Sequence, residues 1–292
     1  MSHSYYEATA RQRLRGLLDP GSFRELLPPS ERVTSPHLPQ LDLPCAFDDG
    51  VVVGRGLLNG QPVLVAAQEG GFMGGAVGEV HGAKLTGLLE RALDERPPAV
   101  LLLIDSGGVR LHEANAGLIA LSEIIRALLT VRAAGVPVIA LIGGATGCFG
   151  GMGIVAGCCD AVIMSEEGRL GLSGPEVIET AQGVEEFDSQ DRALVWRTVG
   201  GKHRYLLGDA TLLVEDDLAA FRQAAVEAMR APSTLSLASL EQEHERLRTR
   251  LERFGDCPDA IDIWSRHGIA APNRLPLLEN QEFLDAVNTK RG

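Results

Sequence analysis

The chain has 292 residues and a formal charge of −12, a length that suits one large domain or two small ones. That acidity, with only 4% aromatic residues, excludes the basic, base-stacking surfaces of nucleic-acid binders. Hydrophobic residues at 45% and charged ones at 23% describe a globular chain with a sizeable core. Five cysteines without a pairing rhythm fit a reducing, cytoplasmic setting, and Cys158 and Cys159, flanked by apolar residues, read as buried inert thiols. Residues 1–15 contain no apolar run for a signal peptide. The uncharged stretch 133–159 is long enough to cross a bilayer. Eight glycines and Pro137 interrupt it, so it reads as core, with no membrane partner.

In chain order, residues 8–18 predict a helix with Ala10, Leu14, Leu17 and Leu18 on one face. Arg11, Arg13 and Arg15 fall off that face, facing solvent or an anionic contact. Prolines at 28, 29, 36, 39 and 44 predict an extended arm. Two apolar runs, 51–58 and 63–68, flank Asn59-Gly60, a strong hairpin signal. A loop with five glycines leads into a helix with Val80, Lys84, Leu85, Leu88, Leu89 and Leu93 on its inner face, stopped at Pro97-Pro98. Strand 99–104 is uniformly apolar and hence covered on both faces. Helix 113–132, strand 136–142, a short buried helix 150–157 and strand 161–164 follow. After a turn-rich crossing at 168–175, a helix begins at 176. Lys202-His203-Arg204 reads as a local basic spot, 206–214 as a short strand, 218–229 as a covering helix. Leu240, Leu247, Leu251 and Phe254 predict a surface helix in the tail. Alternating strand and helix implies stacked β–α units, organised as an arm (1–45), a core (46–232) and a helical tail (233–292) of one domain.

Two stretches organise the rest. LLLIDSGGVR (101–110) is a strand that gives way to Gly107 and Gly108; VIALI (138–142) runs into GGATGCFGGMG (143–153). Two strand ends that meet glycine turns and helix starts offer clusters of backbone N–H groups, which suit an oxygen carrying negative charge. The letters Asp105-Ser106-Gly107-Gly108 match a serine-protease nucleophile, but that signature belongs to double β-barrels and no orienting carboxylate marks a base; Ser106 reads as a turn cap. No Lys-Ser/Thr follows the second glycine run, no GxGxxG precedes a suitably spaced acid, and no Cys or His pair has metal-ligand spacing. The expected donors are the N–H groups of Gly107, Gly108, Val109, Gly150 and Gly151. Phe72, Met73, Gly74, Gly75, Ser106 and Met152 border the bound group. His81, Arg110, His112 and Glu113 are candidates for proton and carboxylate handling, with a structural ion pair as the alternative for Arg110 and Glu113.

Taken together, GGFMGGAVGEVHGAK, DSGGVRLHE and TGCFGGMGIVAGCCDAVIMSEEGRLGLSGPEVIE, with the N-terminal RLRGLLDPGSFREL, resemble the acyl-CoA carboxyltransferase branch of the crotonase superfamily. The resemblance implies an α/β crotonase-like (ClpP/crotonase) fold of stacked β-β-α units with flanking helices. Zinc-ribbon cysteines before this region and a second crotonase domain after it are both absent from the chain. It therefore most resembles the β subunit of biotin-independent malonate decarboxylase. That family's chemistry is decarboxylation of malonyl-S-acyl carrier protein to acetyl-S-acyl carrier protein and CO2 through an oxyanion-stabilised thioester enolate. The resemblance further implies a γ subunit carrying a second crotonase domain, an acyl-carrier transferase α subunit, and an acyl carrier protein bearing phosphoribosyl-dephospho-CoA; no cofactor is expected on this chain. A biotin-dependent acyl-CoA carboxyltransferase β subunit and a non-catalytic scaffold subunit are the alternatives.

Overall fold

The computed structural model describes residues 3–288. Helix α1 (Ala10–Leu17) opens the chain with a reciprocal cap, Thr9 accepting from Gln12 N–H while the Gln12 side chain returns the bond. A two-residue strand β1 (Arg24–Glu25) follows, then β2 (Val51–Leu58) and β3 (Gln61–Gln68). Asn59 and Gly60 both have positive φ, as the tight hairpin expected between those strands requires. Helix α2 (Glu79–Glu95), β4 (Ala99–Ile104), α3 (Asn115–Ala133), β5 (Val138–Ile142), α4 (Gly151–Gly157) and β6 (Ala161–Ser165) then alternate. Next come α5 (Pro175–Gln182), α6 (Arg192–Val199), α7 (Gly201–Leu206), β7 (Leu212–Val214) and α8 (Leu218–Ala228). The tail adds α9 (Leu237–Phe254), α10 (Ala260–Arg266) and α11 (Asn280–Val287).

The seven strands form one sheet in chain order. The first three are antiparallel, and from β3 onward every pairing is parallel. Alternation along each strand splits the core in two. Val100, Leu102, Ile104, Ala140 and Ile142 face α2 and α3, with Leu88, Ile124 and Leu128 opposite. Leu101, Leu103, Ile139 and Leu141 face α1 and α8, with Leu14, Leu17 and Phe221 opposite. Both faces of the parallel strands are therefore dry, as the unbroken apolar run of β4 predicts. Because the five strands from β3 to β7 all point the same way, their following loops collect at one sheet edge, and both glycine turns lie there.

Three expectations need correction, and one open alternative is decided. The proline arm is not simply extended, since 3-10 turns occupy Pro29–Glu31 and Leu38–Leu41 and Leu38 is buried. Residues 206–214 are mostly not strand; α7 ends there, and only Leu212–Val214 pairs with β6. For Arg13 the solvent-facing alternative gives way to the anionic contact, a buried ion pair with Asp105. Lys202-His203-Arg204 is no basic patch. Lys202 pairs with Glu166 at 2.7 Å, His203 accepts from the Trp264 indole at 3.1 Å, and Arg204 meets Asp209 at 3.1 Å.

Candidate active site at two glycine turns

The turn after β4 and the turn after β5 touch. A Cβ on Gly150 would stand 3.1 Å from the Gly108 Cα, so the backbones approach as closely as glycine alone permits. Gly150 has φ +59° and Gly108 φ +129°, further excluding side chains. Main-chain bonds lace the turns together: Ser106 N–H donates to Gly147 O at 2.7 Å and Phe149 N–H to Ser106 O at 2.9 Å. The loop 69–78 closes a third side. Gly74 O accepts from Gly107 N–H at 2.8 Å, Val77 N–H donates to Gly108 O and Arg110 N–H donates to Val77 O. Three successive positive-φ residues, Met73, Gly74 and Gly75, bend that loop. A Cβ on Gly75 would fall 1.8 Å from Asp105 O.

The expected donors divide by what they already bond. Gly107 N–H is spent on Gly74 O, and Gly150 N–H on Leu172 O at 3.0 Å. Gly108 N–H has a longer contact, 3.2 Å to the Ser106 hydroxyl, so Ser106 does cap the turn. Val109, Gly151 and Met152 N–H have no acceptor among the described residues. Gly151 and Met152 open α4, where the N–H groups lack intrahelical acceptors and point along the positive end of the helix. Gly107 and Gly150 thus spend their N–H groups on fixing the turns, and the donors left free among the described residues lie further along, Val109 at the first turn and Gly151 and Met152 at the second.

The side-chain candidates point elsewhere. His81 is fully buried, with Nδ1 at 3.1 Å from Asp49 O and Nε2 at 2.9 Å from the Gln68 amide. Burial, and then the Arg110 charge, lowers its pKa to about 3, so it is a neutral scaffold group. Arg110 lies between Asp49 at 3.0 Å and Glu113 at 2.9 Å, with no exposed side-chain surface on any of the three. Burial raises Asp49. It would raise Glu113 too, but hydrogen bonds from Ser35, Glu79 N–H and Arg110 bring that group down. The structural ion pair is therefore what the chain builds. Phe72 backs this network, 5.5 Å from the Arg110 guanidinium. His112 is exposed.

Residues that the sequence does not single out complete the frame. Asp105 accepts from Thr146 N–H at 2.8 Å on one oxygen and from Arg13 at 2.9 Å on the other. Gly70 and Gly144 leave it room, since a Cβ on either would meet its carboxylate within 2.6 Å. One carboxylate therefore pins α1 and both turns. A charge just after an otherwise apolar strand and before Ser106-Gly107-Gly108 is its only sequence signal. Beside the second turn, Arg169 lies 5.7 Å from the Phe149 ring and 5.0 Å from that of Trp196. It donates to Ala145 O and has no carboxylate partner within ion-pair distance among the described residues. Among the described residues no group of three or more acidic, His or Cys side chains could hold a metal ion.

The profile of the carboxyl transferase domain family matches residues 2–237. A malonyl-S-ACP:biotin-protein carboxyltransferase of Malonomonas rubra is 42% identical, across 96% of this chain and 94% of its own length. The 12S subunit of the Propionibacterium freudenreichii methylmalonyl-CoA carboxyltransferase is 35% identical over 75% of this chain but only 39% of that protein. Among solved structures, a Pseudomonas malonate decarboxylase hetero-tetramer in complex with malonate superposes with a TM-score of 0.82. Its identity is 44%, with 90% of this chain and 96% of the other covered. A fold of flanking helices on a mixed sheet, two apposed glycine turns and this kinship agree: the chain is an enzyme of the carboxyl transferase domain family, with the crotonase-like architecture of its malonate decarboxylase relatives.

Proposed function

We propose that the chain is the decarboxylating subunit of a malonate decarboxylase, converting malonyl-S-acyl carrier protein to its acetyl thioester and CO2. The observation that carries this reading is the convergence of two turns whose Val109, Gly151 and Met152 N–H groups are unsatisfied. Loss of CO2 from a malonyl thioester moves an electron pair onto the carbonyl oxygen as an enolate, which a proton delivered to its carbon turns into the acetyl thioester; preorganised donors lower the barrier to the first step. Each such donor is worth roughly 3 kcal/mol. Gly108 N–H joins them if the thioester oxygen displaces its long contact to Ser106. Arg169 is the cation proposed to orient the malonyl carboxylate before it leaves as CO2. The thioester travels on the phosphoribosyl-dephospho-CoA arm of a carrier protein and not on a cofactor of this chain. Its arm passes the bend at Met73, Gly74 and Gly75.

A γ subunit is proposed to cover the exposed apolar residues around the turns, Leu111 (83% exposed), Ile119 (64%) and Leu172 (70%). An α subunit that loads the carrier completes the set of partners. The hetero-tetrameric Pseudomonas enzyme supports assembly with other subunits. The Malonomonas relative supports a second reading, transfer of the same carboxyl group to a biotin protein.

The test removes one donor. Proline at the first position of a helix keeps the backbone shape and deletes only the N–H, but at Gly151 its ring needs the space of Leu121, 2.0 Å from a Cβ there. Gly151→Pro is therefore made in a Leu121→Ala background. Turnover of malonyl thioester by the assembled complex should fall by on the order of 10²–10³ relative to Leu121→Ala alone, with unchanged circular dichroism. Equal turnover in the two proteins would leave a scaffold role. Requirement for added biotin protein in the CO2-release assay would favour the second reading.

A further inference from the structure

A cavity of about 240 Å³ lies between α6–α7 and the tail, walled by Trp196, Ile261, Trp264 and Leu275 with His203 at its side and Ala193 at its mouth. It shares no lining residue with the glycine turns. Its volume exceeds the roughly 150 Å³ that holds a benzene ring in an engineered apolar cavity. The charges in its wall are already answered. Lys202 spends its ammonium on Glu166 (2.7 Å), Pro276 O (3.2 Å) and Leu278 O (2.6 Å), and Arg197 meets Asp259 at 2.8 Å.

His203 differs. The Trp264 indole is a donor only, so its 3.1 Å bond to Nδ1 fixes the proton on Nε2. Nε2 has no partner among the described residues, although the ring is 5% exposed and lines the cavity. The site therefore presents an apolar slot, balanced charges and one unspent N–H donor. A dianion finds no free cation there, and a plain hydrocarbon leaves the donor unmet.

We infer that this cavity binds an uncharged, flat, mainly apolar molecule carrying one hydrogen-bond acceptor, a ring bearing a ketone or amide carbonyl. Such a ligand joins α6 and α7 of the catalytic body to α10 and the 272–277 turn, fastening the tail.

Both tryptophans of the chain, Trp196 and Trp264, line the cavity, so the two indole N–H resonances of the full-length protein report on it. Acetophenone is the probe and ethylbenzene, the same shape without the acceptor, its control. Acetophenone should shift both resonances saturably, and ethylbenzene should bind at least about fivefold more weakly. Ala193→Phe, at an exposed position, should abolish both responses with the fold intact. His203→Leu should retain binding and erase the preference. Absence of saturable shifts at millimolar acetophenone, or equal affinity of the two probes for the unaltered protein, overturns the inference. If His203→Leu does not fold, persistence of binding in Ala193→Phe overturns it instead.

Discussion

The two glycine turns are held by different means. The turn after β4 rests on charged side chains: Asp105 on Arg13, and Arg110 on Asp49 and Glu113. The turn after β5 rests on main chain, with Gly147 N–H to Gly144 O, Cys148 N–H to Arg169 O and Gly150 N–H to Leu172 O. The first can be broken by removing a partner. The second is sensitive chiefly to added atoms, because it is defined by missing side chains. A site built on both gains close approach from one and a fixed register from the other.

The largest effect that would sharpen this contrast is at Arg110. Arg110→Leu strands two buried carboxylates, and loss of one partner from a buried pair typically costs about 3–5 kcal/mol. Chemical denaturation should show a loss at the upper end of that range. Arg13→Leu should cost about 3 kcal/mol and also lower turnover, since Asp105, which accepts from Thr146 N–H, loses the partner that fixes it. Adding Asp105→Leu should restore part of the stability but none of the turnover. Recovery of both would show that the carboxylate does not position the second turn.

A smaller effect follows from pH. His81 and His203 both titrate at about 3 when folded, against about 6.5 unfolded. The unfolded chain therefore binds more protons between those values, and stability falls as pH drops from 6.5 towards 3 by about 1.4 kcal/mol per unit for each histidine. Replacing His203 by Phe should reduce the pH slope of the unfolding free energy by one proton in that window. An unchanged slope would mean that the ring is not held neutral. Least affected of all should be the lone chain carrying Leu111→Ser and Ile119→Ser. Surface changes of this kind move stability by roughly 0.5 kcal/mol or less, while sedimentation should show weakened assembly with partner subunits.

Much of this architecture is legible in the residues. β4 is readable because a strand covered on both faces has no polar alternation to blur, and the Asn59-Gly60 hairpin because its turn admits few residues. Adjacency of Gly108 and Gly150 follows from two neighbouring parallel strands ending in the same kind of turn. What escapes is long-range. Lys202 looks cationic in its own neighbourhood, yet the carbonyls that accept its protons lie at 276 and 278. Arg13 sits off the leucine face of α1 and reads as solvated until Asp105 is brought over it. Helix α6 escapes as well, because Arg192 and Trp196 give it no clean apolar stripe. Val109 and Gly151 are among the donors the glycine pattern predicts, but that Gly107 and Gly150 spend their own N–H groups inside the turns is not written in a motif.

The Arg13–Asp105 pair spans 92 positions of sequence. During synthesis the guanidinium leaves the ribosome long before its counterion, and Thr146, the other group bound to that carboxylate, emerges later still. A nascent chain that has not reached position 105 therefore carries α1 with an unmatched charge on the side destined for the interior. Seating the amino-terminal helix with its guanidinium matched therefore depends on the end of β4 being in place, which ties the docking of the first helix to a strand 92 positions away.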